Sequence, residues 1–133
     1  MQLFYKFDEA PVHYDLQHLP TGDFEAPVRL SCRGENMSAI TCDFPKGFSW
    51  KEHAHPHEQL TILFSGSVDY SVDGVVHHMT AGDTLYVPSN AMHTAIALED
   101  CRIMDVFTPV RMDQMAWFDD SIEYVPAFHE KED

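Results

Sequence analysis

The sequence predicts an all-β protein, built as a sandwich or small barrel of short strands. Its 133 residues suit a single domain, and the hydrophobic share of 44% is enough for a packed core. From about Glu35 onward, short apolar runs alternate with turn residues, chiefly Gly and Pro. Asp73-Gly74 separates two of these runs by two residues, which is a strong signal for a tight β-hairpin.

The elements follow one another along the chain, each ending at a turn signal. The predicted strands are residues 37–44, 48–55, 59–64, 68–72, 75–80, 83–87, 93–98 and 101–108. We expect residues 1–34 to form an N-terminal arm or edge strand packed on the barrel, which itself covers 35–111. In the C-terminal extension, 112–133, the stretch 113–120 predicts one short helix with Asp113 as its N-cap. The final "HEKED" predicts a solvated, frayed tail.

The chain is strongly acidic, with 22 Asp and Glu against 8 Lys and Arg and a formal net charge of -14. It has no basic stripe to neutralise phosphates, which argues against nucleic acid and anionic membranes as partners. A small anionic substrate is still compatible with this charge, because a few local cations can outweigh the global field inside a cleft.

The sequence carries no signal for export or membrane insertion. No stretch approaches the ~18 apolar residues of a membrane span, and the start "MQLFYKFDEA" is unlike a secretory signal. The three cysteines, Cys32, Cys42 and Cys101, are scattered without a disulfide pattern, which indicates reduced thiols. We therefore expect a soluble cytoplasmic protein, and exposed strand edges predict a homodimer.

The stretch "HAHPHEQ" (53–59) is the strongest candidate for a metal site. His53 and His55 share one face of a strand, and Gln59 opens the strand that returns across the hairpin. His93, at the head of another strand, supplies a further imidazole. Such a set can hold one divalent first-row transition metal (Ni, Fe, Mn, Co or Zn) with positions open for substrate. For the short histidine run alone, an exposed polar loop is an equal alternative.

The spacing around these residues resembles the two motifs of the cupin family. The first motif, G-x5-HxH-x3,4-E-x6-G, matches residues 47–66 with Gln59 in the place of Glu. The second, G-x5-PxG-x2-H-x3-N, matches residues 82–97, with Asn90 replacing a Gly and Ala97 replacing the last Asn. Asn tolerates a positive φ better than most residues, so the turn can still form. The resemblance implies a single double-stranded β-helix, or jelly-roll, barrel.

Gln59 raises the question of why an amide stands where the family usually has a carboxylate. Its neutral carbonyl oxygen can still bind a metal, and loss of the carboxylate leaves the site more positive for an anionic substrate. Glu58 should face the opposite side of the strand and is rejected as a ligand. His57 is expected in the turn, either supporting the ligands from behind or at the rim of the site. Thr61 shares the face of Gln59 and is expected to line the pocket, with tight barrel packing as the alternative.

The strand 101–107 places Asp105 on a mostly apolar face. A buried carboxylate costs free energy unless it is paired, hydrogen-bonded or protonated, and such acids are candidates for proton transfer. The alternative is an aspartate bonded to a backbone amide, or paired with Arg102 or Arg111.

The segment Asp105-x-Phe107-Thr-Pro-x-Arg111 resembles the KdgF type of cupin, found with pectin and alginate breakdown. That resemblance implies a non-redox reaction that opens 4,5-unsaturated monouronates to linear ketonised sugars. Asp105 would move the proton, Arg111 would clamp the substrate carboxylate, and Phe107 and Trp50 would wall the pocket, unless these two aromatics are ordinary core. Two rivals stay open: a ferrous dioxygenase, and a non-catalytic module that binds a small molecule.

Overall fold

The computed structural model of the chain describes residues 1–132, which form two antiparallel sheets in a jelly-roll arrangement. The larger sheet has the strand order β1-β2-β3-β10-β5-β8, and the smaller has the order β11-β4-β9-β6-β7. The strands are β1 (Val12–Leu19), β2 (Gly22–Arg33), β3 (Ser38–Phe44), β4 (His53–Ala54), β5 (Glu58–Ser65), β6 (Ser67–Val72), β7 (Val75–Thr80), β8 (Thr84–Val87), β9 (His93–Ala97), β10 (Cys101–Thr108) and β11 (His129–Glu130). The predicted all-β fold is confirmed.

The core lies between the two sheets, because alternate residues of each strand face inward. On β5, Thr61 and Leu63 have no exposed surface, whereas Leu60 is 41% exposed. On β10, Ile103 and Phe107 are buried, as the two-residue period predicts. This alternation aims the inner residues of β5 and β10 at the same interior space.

The turns follow the residues that suit them. Asp73 and Gly74 both have a positive φ, which is the geometry of a two-residue hairpin between β6 and β7. Asn90 has φ of 64°, so the residue that replaces the family's usual Gly does adopt the left-handed conformation.

The first 34 residues contain two long strands. β1 and β2 form a hairpin with paired residues from Val12↔Arg29 to Leu19↔Gly22, and β2 joins the sheet through β3. β1 is therefore the edge strand of the larger sheet. The division into arm, barrel and extension stays a prediction.

The C-terminal extension departs from the predicted pattern. The helix α1 (Met112–Met115) begins one residue before the expected start, and Asp113 lies in its first turn rather than at the N-cap. The predicted frayed tail is wrong for β11, which pairs antiparallel with β4. The predicted strand 48–55 is likewise regular only at β4. Within residues 1–132, no helix is long and apolar enough to cross a membrane.

Candidate metal centre

Three histidines from two neighbouring strands converge on one point. His53 and His93 are paired residues of β4 and β9, and His55 follows the end of β4. Their ligand atoms all lie within 4.8 Å of one another. His55 and His93 are 1% exposed, and His53 is partly exposed. The predicted histidine cluster is confirmed as a group that could hold a metal ion.

Backbone carbonyls select the tautomer of all three imidazoles. Each Nδ1 faces a carbonyl oxygen, which can only accept, so Nδ1 carries the hydrogen and Nε2 keeps its lone pair. The acceptors for His53, His55 and His93 are the carbonyls of Lys51 at 3.3 Å, His57 at 3.1 Å and Ala91 at 2.8 Å, respectively. Such backbone contacts orient imidazoles for metal binding before any metal arrives.

Electrostatics keeps the three imidazoles neutral, the form that binds metals. Burial, aided by His93, lowers the pKa of His53 to about 4. Burial and the positive charge of Arg111 lower the pKa of His55 to about 3. Burial also lowers the pKa of His93.

Gln59 completes the cluster with an oxygen whose direction is set by hydrogen bonds. Its Nε2 donates to Thr61 Oγ1 at 2.9 Å and Tyr70 Oη at 3.1 Å, and approaches Asp105 Oδ1 at 3.3 Å. Its Oε1 therefore points the other way, 3.0 Å from His55 Nε2. The lone pairs of His55 Nε2 and Gln59 Oε1 repel each other at this distance, and a cation between the two atoms would remove that repulsion. Three imidazoles and this amide oxygen fit a divalent first-row metal, without deciding which one.

The neighbours of Gln59 in sequence lie outside this set. Glu58 is exposed on the outer face and accepts a hydrogen bond from the Tyr86 hydroxyl at 2.5 Å, in agreement with its rejection as a ligand. Of the two positions expected for His57, the structure agrees with the one that supports the ligands, because His57 is 5% exposed and its ring centroid lies 5.5 Å from that of His55.

Asp105 is bound to this network rather than to an arginine. Its Oδ1 accepts a hydrogen bond from Thr61 Oγ1 at 2.7 Å and a longer one from Gln59. Burial raises the pKa of Asp105 to about 6, against these hydrogen bonds and the charge of Arg111, which lower it. Arg102 instead binds Asp43, at 2.7 and 3.1 Å.

The guanidinium fork of Arg111 already has a carboxylate partner. Arg111 is 4% exposed, and its Nε and Nη2 donate to the two oxygens of Asp113 at 2.9 and 2.8 Å. The guanidinium carbon lies 4.8 Å from the centroid of the Phe107 ring. The predicted clamp on a substrate carboxylate therefore has the two hydrogens of Nη1 and one hydrogen of Nη2 left to donate.

These groups face one cavity of about 380 Å³. The predicted site residues on its wall are His53, His93, Gln59, Asp105, Phe107, Trp50 and Arg111. Thr61 has no exposed surface and supports Gln59 and Asp105 from behind instead of lining the wall. The indole nitrogen of Trp50 is buried with no hydrogen-bond partner among residues 1–132, so a donor is available at this wall.

The cavity also has walls that sequence reasoning missed. They are formed by three residues of β1 and by residues from α1 to the C-terminal end: His13, Asp15, Gln17, Gln114, Trp117, Tyr124, Phe128 and Glu130. Polar and apolar residues alternate in "VHYDLQ" (12–17), which is a signal for a strand with one polar face. In the structure that polar face points into the cavity, and the apolar face points outward. Phe128 reaches the metal cluster itself, with its ring centroid 5.5 Å from that of His53.

Comparison with known proteins agrees with this architecture. A family model described as "Cupin domain" matches residues 40–107, about half of the chain. Among solved structures, an RmlC-like cupin from Shewanella frigidimarina is 25% identical, with 86% of this chain and 96% of that chain covered and a TM-score of 0.75. KdgF from Halomonas sp. is 26% identical, with 86% of this chain and 99% of that chain covered and a TM-score of 0.71.

One curated relative matches a shorter stretch. Dimethylsulfoniopropionate lyase DddW from Ruegeria pomeroyi is 33% identical over 55 residues, which is 41% of this chain and 36% of that protein. The match thus spans about a third of the relative's length. The family model, the two-sheet fold and the histidine cluster agree with one another, and the chain belongs to the cupin family.

Proposed function

We propose that this cupin is a metal-dependent enzyme that opens and ketonises a small unsaturated uronate, or a similar anionic sugar acid, without redox chemistry. One observation carries the proposal: Asp105, a partly buried carboxylate, is joined by Gln59 to the histidine cluster within a single cavity. The similarity to KdgF over nearly the whole length of that protein supports the same reading.

The reaction needs a proton to leave an enol oxygen and a proton to reach carbon, with no net change in atoms or electrons. A bound divalent metal would supply Lewis acidity toward a substrate oxygen. The hydrogen bonds of Asp105 go to Oδ1, from Thr61 and Gln59, so Oδ2 is available to exchange a proton with the substrate. Asp105 would therefore act as the general acid–base group.

The remaining wall residues would bind and orient the substrate. Arg111 places a positive charge over the Phe107 ring, and its Nη1 can donate to the substrate carboxylate. The unpartnered indole N–H of Trp50 can donate to a second substrate oxygen. Phe107 and Trp50 would also exclude bulk water, which strengthens each of these polar contacts.

The test is the turnover of a 4,5-unsaturated galacturonate by wild type and by Asp105→Asn, followed by loss of the unsaturated chromophore. We expect turnover to fall by roughly 10²–10⁴-fold in the variant, with metal content and substrate binding nearly unchanged. Glu35→Gln removes an exposed acid that is not part of the cavity wall and serves as the matched control. Equal turnover per folded molecule by Asp105→Asn would refute the role of Asp105. Oxygen uptake is recorded alongside, because a dioxygenase would consume it.

A second candidate is favoured by the match to dimethylsulfoniopropionate lyase DddW. A lyase on that substrate would use a base on the wall to remove a proton from carbon, with formation of a C=C bond and departure of dimethyl sulfide as the C–S bond breaks, and the histidine cluster would hold the metal. Incubation with dimethylsulfoniopropionate, followed by proton NMR, separates the candidates, because only one of the two substrates should disappear.

We also propose that the protein is a homodimer and lies in the cytoplasm. β1 is a sheet edge whose outward residues Val12, Tyr14 and Leu16 are 39%, 54% and 58% exposed, and pairing of two such edges would give a homodimer. Sedimentation of the purified protein tests this. The three free cysteines suit a reducing cytoplasm, which fractionation of the producing cells can check.

A further inference from the structure

The inward face of β1 forms a polar wall of the cavity, although the inward residues of the neighbouring strand β2 are apolar. His13, Asp15 and Gln17 line the cavity, whereas the next strand contributes buried apolar residues such as Ala26 and Val28. Polar side chains on an inner face cost free energy unless they bind something. None of the steps proposed above uses these three residues.

The strand order places this wall away from the proton-transfer group. β1 is three strands from β10 in the larger sheet, and neighbouring strands lie ~4.8 Å apart, so the separation across the sheet is roughly 14 Å. A linear six-carbon chain with a hydrogen bond of about 2.8 Å at each end spans a distance of the same order. A substrate reacting beside Asp105 would therefore present its tail to β1.

The chemistry of this wall suits hydroxyl groups. Gln17 Nε2 donates to Asp15 Oδ1 at 3.1 Å, which fixes both side chains and leaves Gln17 Oε1 and Asp15 Oδ2 as acceptors. Gln114 is 5% exposed, and its Oε1 has no hydrogen-bond partner among residues 1–132 although the residue lines the same cavity. The His13 ring stacks on Trp117 with centroids 4.4 Å apart, so one face of that indole is already covered. The acceptor oxygens of this wall suit hydroxyl donors.

We propose that Asp15 and Gln17, with Gln114 beside them, form a subsite that binds the neutral hydroxyls of the substrate's tail and excludes a second carboxylate. The inference rests on the proposed function, because it names which end of a sugar acid lies where. Exclusion follows from charge, since the carboxylate of Asp15 in a partly desolvated wall repels another anion. The protein should therefore prefer hydroxylated monoacids to the corresponding diacids.

The test is calorimetric titration of the metal-loaded protein with two unreactive probes, galacturonate and its diacid galactarate. We expect wild type to bind the monoacid at least tenfold more tightly. Asp15→Asn, which keeps the size of the side chain, should reduce that preference severalfold by strengthening diacid binding. Asp15→Ala should weaken monoacid binding by about tenfold, because a charge-assisted hydrogen bond is lost. Glu35→Gln, the exposed-acid control, should match wild type.

The outcomes separate the subsite from the reaction. An unchanged preference in Asp15→Asn, in a protein that still turns over the unsaturated uronate, overturns the subsite alone. If Asp15→Asn shows a reduced preference for the monoacid but wild type does not turn over the unsaturated uronate, the subsite stands and the proposed reaction is rejected. If Asp15→Asn does not fold, Gln17→Glu gives the opposite change, because the added charge should weaken diacid binding further. Failure of wild type to bind either acid would overturn the subsite, and absence of turnover of the unsaturated uronate would overturn the reaction.

Discussion

Gln59→Glu tests most directly why an amide stands in the metal cluster. The amide nitrogen of Gln59 donates to Thr61 and Tyr70 and lies 3.3 Å from Asp105 Oδ1. A carboxylate in its place would put an oxygen acceptor against the carboxylate of Asp105. The two hydroxyls can turn their hydrogens toward the new group, but Asp105 cannot while it is ionised.

The variant can either tolerate the repulsion between two carboxylates or protonate Asp105, and the route with the lower free-energy cost sets the expected loss of stability. Two full charges 3.3 Å apart repel by about 5 kcal/mol at an effective dielectric constant of 20. Protonating Asp105 avoids this repulsion, and with a pKa of about 6 it costs about 2 kcal/mol at pH 7.5. Protonation of Asp105 has the lower cost. We therefore expect the free energy of unfolding of metal-free Gln59→Glu to fall by about 2–3 kcal/mol, including about 1 kcal/mol for weakened hydrogen bonds. Because the folded variant binds an extra proton, this loss should shrink as the pH falls toward 6.

A double-mutant cycle isolates the contact. In Gln59→Glu/Asp105→Asn the amide and the carboxylate exchange places, so most of the lost stability should return. We expect a coupling free energy of about 1–3 kcal/mol from urea unfolding of the chelator-treated proteins at pH 7.5, followed by tryptophan fluorescence. Additivity within about 0.5 kcal/mol would refute the reasoning, since it would show that the two side chains do not sense each other.

Three further predictions concern the metal, the buried ion pair and the N-terminus. Elemental analysis should find one divalent metal per wild-type chain and none in folded His53→Ala or His93→Ala, and full occupancy in both variants contradicts the assignment. Asp113→Asn leaves the buried Arg111 without its carboxylate and should cost about 3 kcal/mol in urea unfolding. Burial raises the pKa of Asp113, but the charge and hydrogen bonds of Arg111 outweigh it, so the pKa is lowered overall. The stability that the pair gives the wild type is therefore present above about pH 4 and declines below it. The variant should lack that decline. Phe7→Ala removes ring contacts to two arginines, at 4.5 and 4.8 Å, and should lower the melting temperature by a few degrees, with no change if the contacts are incidental.

The sequence predicted those parts of the fold and site that depend on local rules. A period of two identified the inner faces of β5 and β10, because each strand has one face toward the core. Turn chemistry located the hairpin at Asp73-Gly74 and the left-handed conformation at Asn90. Ligand spacing identified the three histidines, because two come from one strand end and the third heads a strand.

Long-range pairing and polar burial were beyond local rules. β11 has only two residues, and its pairing with β4 depends on a chain reversal that no periodic pattern signals. The sequence suggested Arg111 for a substrate clamp, yet Asp113 occupies its fork from two residues away, across the start of α1. The polar face of β1 was missed because inward residues are ordinarily apolar, and a ligand cavity reverses that expectation.

The amide of Gln59 links the metal cluster to the acid. A glutamate there could still bind a metal, but it would also compete with Asp105 for the hydrogen of Thr61 and repel its charge. The amide instead directs its oxygen toward His55 and its nitrogen toward Thr61, Tyr70 and Asp105, so an N–H donor rather than a second carboxylate oxygen faces Asp105. This division lets a partly buried carboxylate stay close to the three imidazoles without sharing a proton with a second acid. The oxygen that faces the imidazoles and the nitrogen that faces Asp105 are two ends of one side chain, and a residue with two like oxygens cannot present both.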